Sequence, residues 1–356
     1  MRRRPTLVVL GLALAAAASY AACRDRAAPR PSWARDERLL HNGIPSRVEL
    51  LVPPGGDAAA MLATAWSEFE RVGRAVNAFD PASEVGRLNA ADKREPVEVG
   101  ADVAALLALS RAAWEATGGA FDPTTWPLKD LWRRAARSGV PPDPEAEAAA
   151  RARVGLGRVR PLPDGRVRFD VPDAALDFGG IAKGYAVDRV AGAARAAGVA
   201  SGLVQCGGEI AAWGRSPDGG PWRIGVRDPL APGRSLGVVS SAEPLAVSTS
   251  GNYEQPVTVG GRQFHHVLDP AAGSPASTTV LGVTVAVLPG DYRNARADAL
   301  ATALTVLGAE RGLAVVEATP GVAALFVVRD DAAPGAEPRT RVSSAMAAIY
   351  RGEPPR

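Results

Sequence analysis

At 356 residues, with 47% hydrophobic and 22% charged side chains, the chain can form one large domain or two modest ones around a sizeable core. Its formal charge of +3 resides in Arg2, Arg3 and Arg4, because the remainder sums to zero. That balance gives no footprint for a nucleic-acid partner.

Those arginines and the apolar run from Leu7 to Ala18 read as a secretory signal peptide over residues 1–22. The run is short for a membrane span and is followed by small residues. Ala21-Ala22-Cys23 resembles the end of a bacterial lipobox, with Tyr20 standing where Leu is usual. A lipid on Cys23 would anchor the protein to the periplasmic side of the inner membrane; a soluble form cleaved after an alanine is the alternative. With Cys23 acylated, Cys206 has no disulfide partner. Residues 23–40 are expected as a tether, 41–350 as the functional domain and 351–356 as a tail.

The first expected strand is Val48 to Val52, ended by Pro53-Pro54-Gly55-Gly56. Asp57 then caps a helix whose apolar face is Met61, Leu62, Ala65, Phe69, Val72 and Ala75. A second helix carries Val103, Leu106, Leu107, Ser110 and Trp114 and ends at Gly118-Gly119. Asp143-Pro144 opens a peripheral third through Arg153. Arg166 to Val171 alternates as a strand and feeds Leu176-Asp177-Phe178-Gly179-Gly180-Ile181-Ala182-Lys183. There a strand-like end passes through a Gly-Gly turn into an Ala-rich helix that stops at Gly198. Further strands are expected at Leu203 to Gln205, Trp222 to Val226, Ala246 to Ser248, Pro256 to Val259, Val280 to Val287 and Val322 to Val328. A helix runs around Ala295 to Leu307. This order predicts an α+β domain, with helices packed on mainly antiparallel sheets.

Three features carry chemistry. The Gly179-Gly180 turn holds Asp177 and Lys183 at its two ends and lets backbone approach a ligand closely. Asp298 and Thr302 lie four apart on a helix, so they share one face and offer oxygen ligands suited to a hard cation. The bland alternative is a solvated Asp and a Thr bonded to its own helix turn. His266 is one of only three histidines, and a neutral imidazole can take a proton from a hydroxyl. Its neighbour His265 suits a structural hydrogen bond better.

Five separated signatures occur in order: Ser83-Glu84 with Leu88-Asn89, Gly119-Ala120-Phe121-Asp122, Asp177 to Asp188, His266-Val267-Leu268-Asp269-Pro270 with Gly273, and Ala297-Asp298-Ala299-Leu300-Ala301-Thr302. Together with Gly207-Gly208-Glu209 and Thr249-Ser250-Gly251 they resemble the ApbE family of FAD:protein FMN transferases over nearly all of His41 to Tyr350.

The resemblance implies a duplicated T-fold and an enzyme that moves the FMN half of FAD onto a Thr or Ser hydroxyl of an acceptor protein. The product is a phosphoester, AMP is released, and Mg²⁺ is required. It implies His266 as general base, and Asp298, Thr302 and the Gly180 carbonyl as Mg²⁺ ligands. Phe79, Ala120, Phe121, Asp122, Asp177, Lys183 and Leu268 match positions that contact FAD, and Asn42 matches less closely. Ala301 stands where some relatives carry a further carboxylate. Acceptors in the family are subunits of membrane redox complexes and exported flavoproteins. Two rival readings use the same residues: a Mg²⁺-dependent FAD pyrophosphatase, and a non-enzymatic FAD-binding lipoprotein.

Overall fold

Four consecutive charged residues, Arg35 to Arg38, fill the middle of the first hairpin's outer strand, where β1 (Ser32–Leu40) pairs antiparallel with β2 (Ile44–Val52). In the computed structural model, residues 30–40, 43–231, 233–251, 257–288, 290–329 and 337–352 are described. The signal peptide, Cys23 and Asn42 lie outside them.

The tether expected over residues 23–40 is corrected from Ser32 onward. Those residues form an edge strand, and Asp36 accepts a 2.8 Å hydrogen bond from the buried Trp66 indole. Ser32–Leu40 is rich in charge, as an edge strand facing water tolerates, and this conceals it from a search for apolar runs.

Asp57 caps α1 (Ala58–Val76), accepting from the Ala60 amide. An insertion follows, comprising α2 (Glu84–Ala90), β3 (Val97–Glu98), α3 (Ala101–Ala116), α4 (Trp126–Ser138), α5 (Pro144–Arg151), β4 (Val159–Pro161) and β5 (Arg166–Phe169). The chain returns through α6 (Ala182–Ala196) to β6 (Gly202–Cys206) and β7 (Glu209–Trp213). Next come β8 (Arg223–Arg227), β9 (Ser235–Ser240) and β10 (Leu245–Gly251). The short strands β11 (Val257–Val259), β12 (Arg262–Phe264), β13 (Leu268–Asp269) and β14 (Ser274–Pro275) form a second insertion before β15 (Val280–Val287). The chain closes with α7 (Arg293–Glu317), β16 (Val322–Val328), β17 (Arg339–Val342), α8 (Ser344–Ile349) and β18 (Tyr350–Gly352).

The principal sheet has eight strands in the order β1-β2-β6-β7-β10-β15-β16-β17, every neighbour antiparallel. Each half therefore runs strand, strand, helix, helix, strand, strand. In the first half the two helices are α1 and α6. In the second they are the two segments of α7, broken at Gly308, whose φ of 76° and ψ of 172° no helix contains. This repeat is the duplicated arrangement expected.

Side chains alternate across the sheet. Val204, Ala211, Val283, Val285 and Phe326 belong to cores under α1, α6 and α7. Leu203, Ala212, Leu245, Leu281 and Leu325 pack on the other face beneath Trp222, Ile224, Val239 and Met346. Both faces being covered, Val280–Val287 is buried throughout, which explains its unbroken apolar run. Helix α7 has the length and hydropathy of a membrane span, yet half of its most apolar window is buried in this core.

Candidate active site

The Gly179-Gly180 turn is fixed by the first insertion. Asn89, at the end of α2, donates its amide to the Leu176 carbonyl at 2.8 Å and accepts the Leu176 amide at 2.7 Å. The Asp177 amide donates to Pro123 O at 2.7 Å. Ser83 caps α2, accepting from Gly86 N at 2.8 Å, and Glu84 accepts from Gly100 N at 2.5 Å. The Ser83-Glu84 and Leu88-Asn89 signatures thus brace the turn that carries Asp177.

On one side of the turn, α6 meets α7. The Gly184 amide, in the first turn of α6, donates to Asp298 Oδ2 at 3.0 Å. Lys183 Nζ stands 3.5 Å from Asp298 Oδ1 and 3.2 Å from Glu209 Oε1 on β7. Asp298 and Glu209 are both buried. Burying two carboxylates demands such compensation, here an ammonium, an amide at a helix N-terminus and Ser248 Oγ, which donates to Glu209 at 3.3 Å. Gly180 faces α7 so closely that an added Cβ would stand 2.8 Å from Thr302 Oγ1 and 3.3 Å from the Phe121 ring. Gly180 and Thr302 are thereby brought together, with Asp298 one helical turn before Thr302.

On the other side, Lys129 from α4 donates to Asp177 Oδ2 at 2.5 Å, and the Gly179 amide donates to Oδ1 at 3.0 Å. Phe79, 50% exposed, lies beside this pair, 4.9 Å from the Trp126 ring and edge-on to it. His266 sits between β12 and β13, its ring stacked on His265 with centroids 4.9 Å apart. Burial pushes the His266 imidazole down to about 3, with repulsion from His265, Lys129 and Lys183 adding to the effect. The ring is therefore neutral near physiological pH and feels the ammoniums on both sides of the turn. His265, lowered by burial to about 4, accepts the Val267 amide on Nδ1 at 3.0 Å, the structural role expected of it.

Other expected contacts are engaged by the protein itself. Asp122 is buried and accepts from Thr124 N at 2.8 Å, Thr124 Oγ1 at 2.5 Å and Leu156 N at 2.9 Å, and burial raises its carboxyl above the ordinary range. Phe121 belongs to the main core, with Ala120 packed against it. Leu268 is half-buried against Leu128 and Trp132 of α4. Lys129 was not found from sequence, since a lone lysine on an amphipathic helix has no motif to announce it. Glu209 was noted only as part of a glycine motif.

Residues 43–326 match the family model described as the ApbE family. The chain belongs to the ApbE family. It is 31% identical to a Treponema pallidum FAD:protein FMN transferase over 96% of this chain and 98% of that one. It is 32% identical to the FAD:protein FMN transferase of Vibrio cholerae over 74% of this chain and 78% of that one. Among solved structures, the apo form of the Pseudomonas stutzeri flavinyl transferase ApbE superposes with a TM-score of 0.77 at 31% identity. That match covers 90% of this chain and 97% of the other.

The ApbE-family site also passes a chemical test for a hard divalent cation. Thr302 Oγ1 borders Gly180, and Asp298 lies one helical turn before Thr302, so the side-chain donors here are a hydroxyl and a carboxylate, both oxygen, as Mg²⁺ prefers.

Proposed function

We propose that this protein is an exported, Mg²⁺-dependent FAD:protein FMN transferase, anchored by lipid on Cys23, that flavinylates a Thr or Ser of an acceptor protein. The observation that carries the reading is the Gly179-Gly180 turn, flanked by an oxygen donor set and Lys183 on one side and by Lys129, Asp177 and Phe79 on the other. A neutral His266 feels both ammoniums.

In this reading the acceptor hydroxyl oxygen attacks the flavin-side phosphorus in line. A phosphoester bond forms, the P–O bond to the bridging oxygen breaks, and AMP leaves with that oxygen. His266 takes the hydroxyl proton; an anionic pyrophosphate beside the lysines would offset their repulsion and raise its basicity. Lys183 would neutralise phosphate charge, and Asp177 and Phe79 would hold a ring system or a ribose. Bound Mg²⁺, held by Asp298, Thr302 and the Gly180 carbonyl, would polarise phosphate oxygens. Most of the rate enhancement comes from positioning and charge neutralisation.

The deciding experiment incubates the protein lacking residues 1–22 with FAD, Mg²⁺ and a fragment carrying a Thr in a short Gly/Ala/Ser/Thr motif. Intact mass of the fragment is then measured. A gain of FMN less water, lost in His266→Ala, supports the transferase. Free FMN and AMP without a gain would instead indicate hydrolysis, and FAD recovered bound but unreacted would indicate a carrier.

A further inference from the structure

We propose that Lys129 is a positioning residue of the flavin-nucleotide site, holding the Asp177 carboxylate and the Phe79 ring in their binding geometry. The inference rests on the FAD-binding reading above. Trp126, Lys129 and Arg133 recur at helical spacing along α4 and form one stripe. All three meet Phe79: the Trp126 ring edge-on at 4.9 Å, Lys129 Nζ 5.2 Å from the ring centroid, and the Arg133 guanidinium 4.4 Å from it. Cations this close to an aromatic ring are attracted to its face. Phe79 remains 50% exposed, so this stripe holds the ring while leaving surface for a ligand to stack on.

Lys129 alone of the three also reaches Asp177. Their side chains are 30% and 12% exposed, and the ion pair lies directly over Gly179. A Cβ on Gly179 would stand 3.1 Å from Asp177 Oδ1 and 3.3 Å from Lys129 Nζ, tighter than ordinary contact. With Oδ2 taken by Lys129 and Oδ1 by the Gly179 amide, the carboxylate plane is set before a ligand arrives. Preorganisation of this kind spares the ordering that binding would otherwise require. Without the ammonium, the Asp177 carboxylate would lose its partner on Oδ2 and turn toward water.

The test compares wild type, Lys129→Met, Lys129→Arg, Asp177→Asn and the Lys129→Met/Asp177→Asn double variant. FAD binding is followed by flavin fluorescence in the absence of acceptor, alongside KM and kcat for transfer. Lys129→Met should weaken FAD binding and raise KM about tenfold, as loss of one partner from a desolvated charge pair does, while kcat stays within about threefold. Lys129→Arg should restore most of the affinity. In the Asp177→Asn background the Lys129→Met effect should shrink severalfold, because its partner is already neutral. FAD affinity unchanged in Lys129→Met, with wild type binding normally, would overturn the inference and leave the transferase reading standing. So would a loss that arginine does not recover and that survives undiminished in the Asp177→Asn background. Wild type that binds no FAD would remove the functional reading and this inference with it.

Discussion

Gly184→Ala tests the junction on which the Lys183–Asp298 side of the site depends. A Cβ at Gly184 would stand 2.2 Å from Asn294 O, 2.5 Å from its carbonyl carbon and 2.8 Å from Ala295 N. These are backbone atoms of α7 that cannot swing aside, so α6 and α7 must part by about 1 Å to reach ordinary contact. Overpacking of this kind costs about 1–3 kcal/mol. The Gly184 N–H bond to the Asp298 carboxylate, charge-assisted and buried, is worth about 1.5–3 kcal/mol and would lengthen or break. Alanine's better helix propensity returns about 1 kcal/mol, too little to reverse the sign. The net destabilisation is about 2–5 kcal/mol. With an unfolding entropy of about 2.1 cal/mol/K per residue over about 300 residues, the melting temperature should fall by about 3–8 °C.

Calorimetry or circular dichroism of the FAD-free protein reads this directly, and the Mg²⁺ concentration giving half-maximal transfer should rise because Asp298 is displaced. Gly192→Ala, in the same helix with nothing within 4 Å of its added Cβ, is the matched control and should be neutral or slightly stabilising. If both variants melt within about 1 °C of wild type, α6 and α7 do not approach as closely as described and the reasoning fails.

His266→Ala should lower transfer by about 10²–10⁴-fold while FAD affinity changes little, measured by product mass and flavin fluorescence; a parallel loss of binding would count against the base assignment. Asp298→Ala should reduce activity in a way that raised Mg²⁺ partly recovers, and an unchanged Mg²⁺ titration would sink the ligand assignment. The pH dependence follows from His266. Since the free protein's imidazole is pushed down to about 3, kcat/KM should show no inflection near the ordinary histidine value of about 6.5, and a steep loss there would contradict this environment. For stability, the unfolded chain binds protons on both His265 and His266 below about pH 6.5 while the folded one does not. Their contribution is therefore present above that pH and is lost as pH falls toward 4 and 3, which acid-titrated melting curves would show as a declining Tm.

Elements marked by an apolar run or by a capping residue were legible in sequence. Val280–Val287 and Val322–Val328 lie where their apolar runs put them, and Asp57, Asp143 and Gly198 punctuate helices as their types suggest. Ser32–Leu40 was not legible, because an edge strand needs only one hydrogen-bonded neighbour and can be charged along most of its length. The strand Ser235–Ser240 was missed because its stabilisation comes from pairing with Arg223–Arg227 and Tyr350–Gly352, the latter more than a hundred residues away, and not from its own composition. The same reasoning holds in the site. Asp298 and Thr302 share a helix face by spacing alone, but the approach of Thr302 to Gly180, and of Asp298 to the Gly184 amide, requires the contact of α6 with α7. Asp188 fixes that contact through hydrogen bonds to Asn294 N, Asn294 Nδ2 and Ala295 N, at 3.1, 3.0 and 2.9 Å, spanning separations that no local pattern contains.

Charge around the turn leads to a last prediction. On the side where α6 meets α7, Asp298 and Glu209 face Lys183, leaving one negative charge over. A dianionic pyrophosphate brought to this site would meet buried carboxylates, where repulsion is poorly screened. Lys183 cannot offset this alone, since its ammonium already lies within 3.5 Å of two carboxylates. A divalent cation among the Gly180, Asp298 and Thr302 oxygens would reverse the sign of the empty site and make it attractive to phosphate. FAD and Mg²⁺ should therefore bind cooperatively, each tightening the other by the same factor, about 5–150-fold for couplings of ordinary size. Titrating FAD in EDTA and in saturating Mg²⁺, then Mg²⁺ with and without FAD, measures both arms. In Lys183→Met, with one positive charge fewer, the dependence of FAD binding on Mg²⁺ should steepen. Equal FAD affinity with and without Mg²⁺ would show that the pyrophosphate does not sit beside Asp298, and the assignment of that side of the turn to phosphate would have to be abandoned.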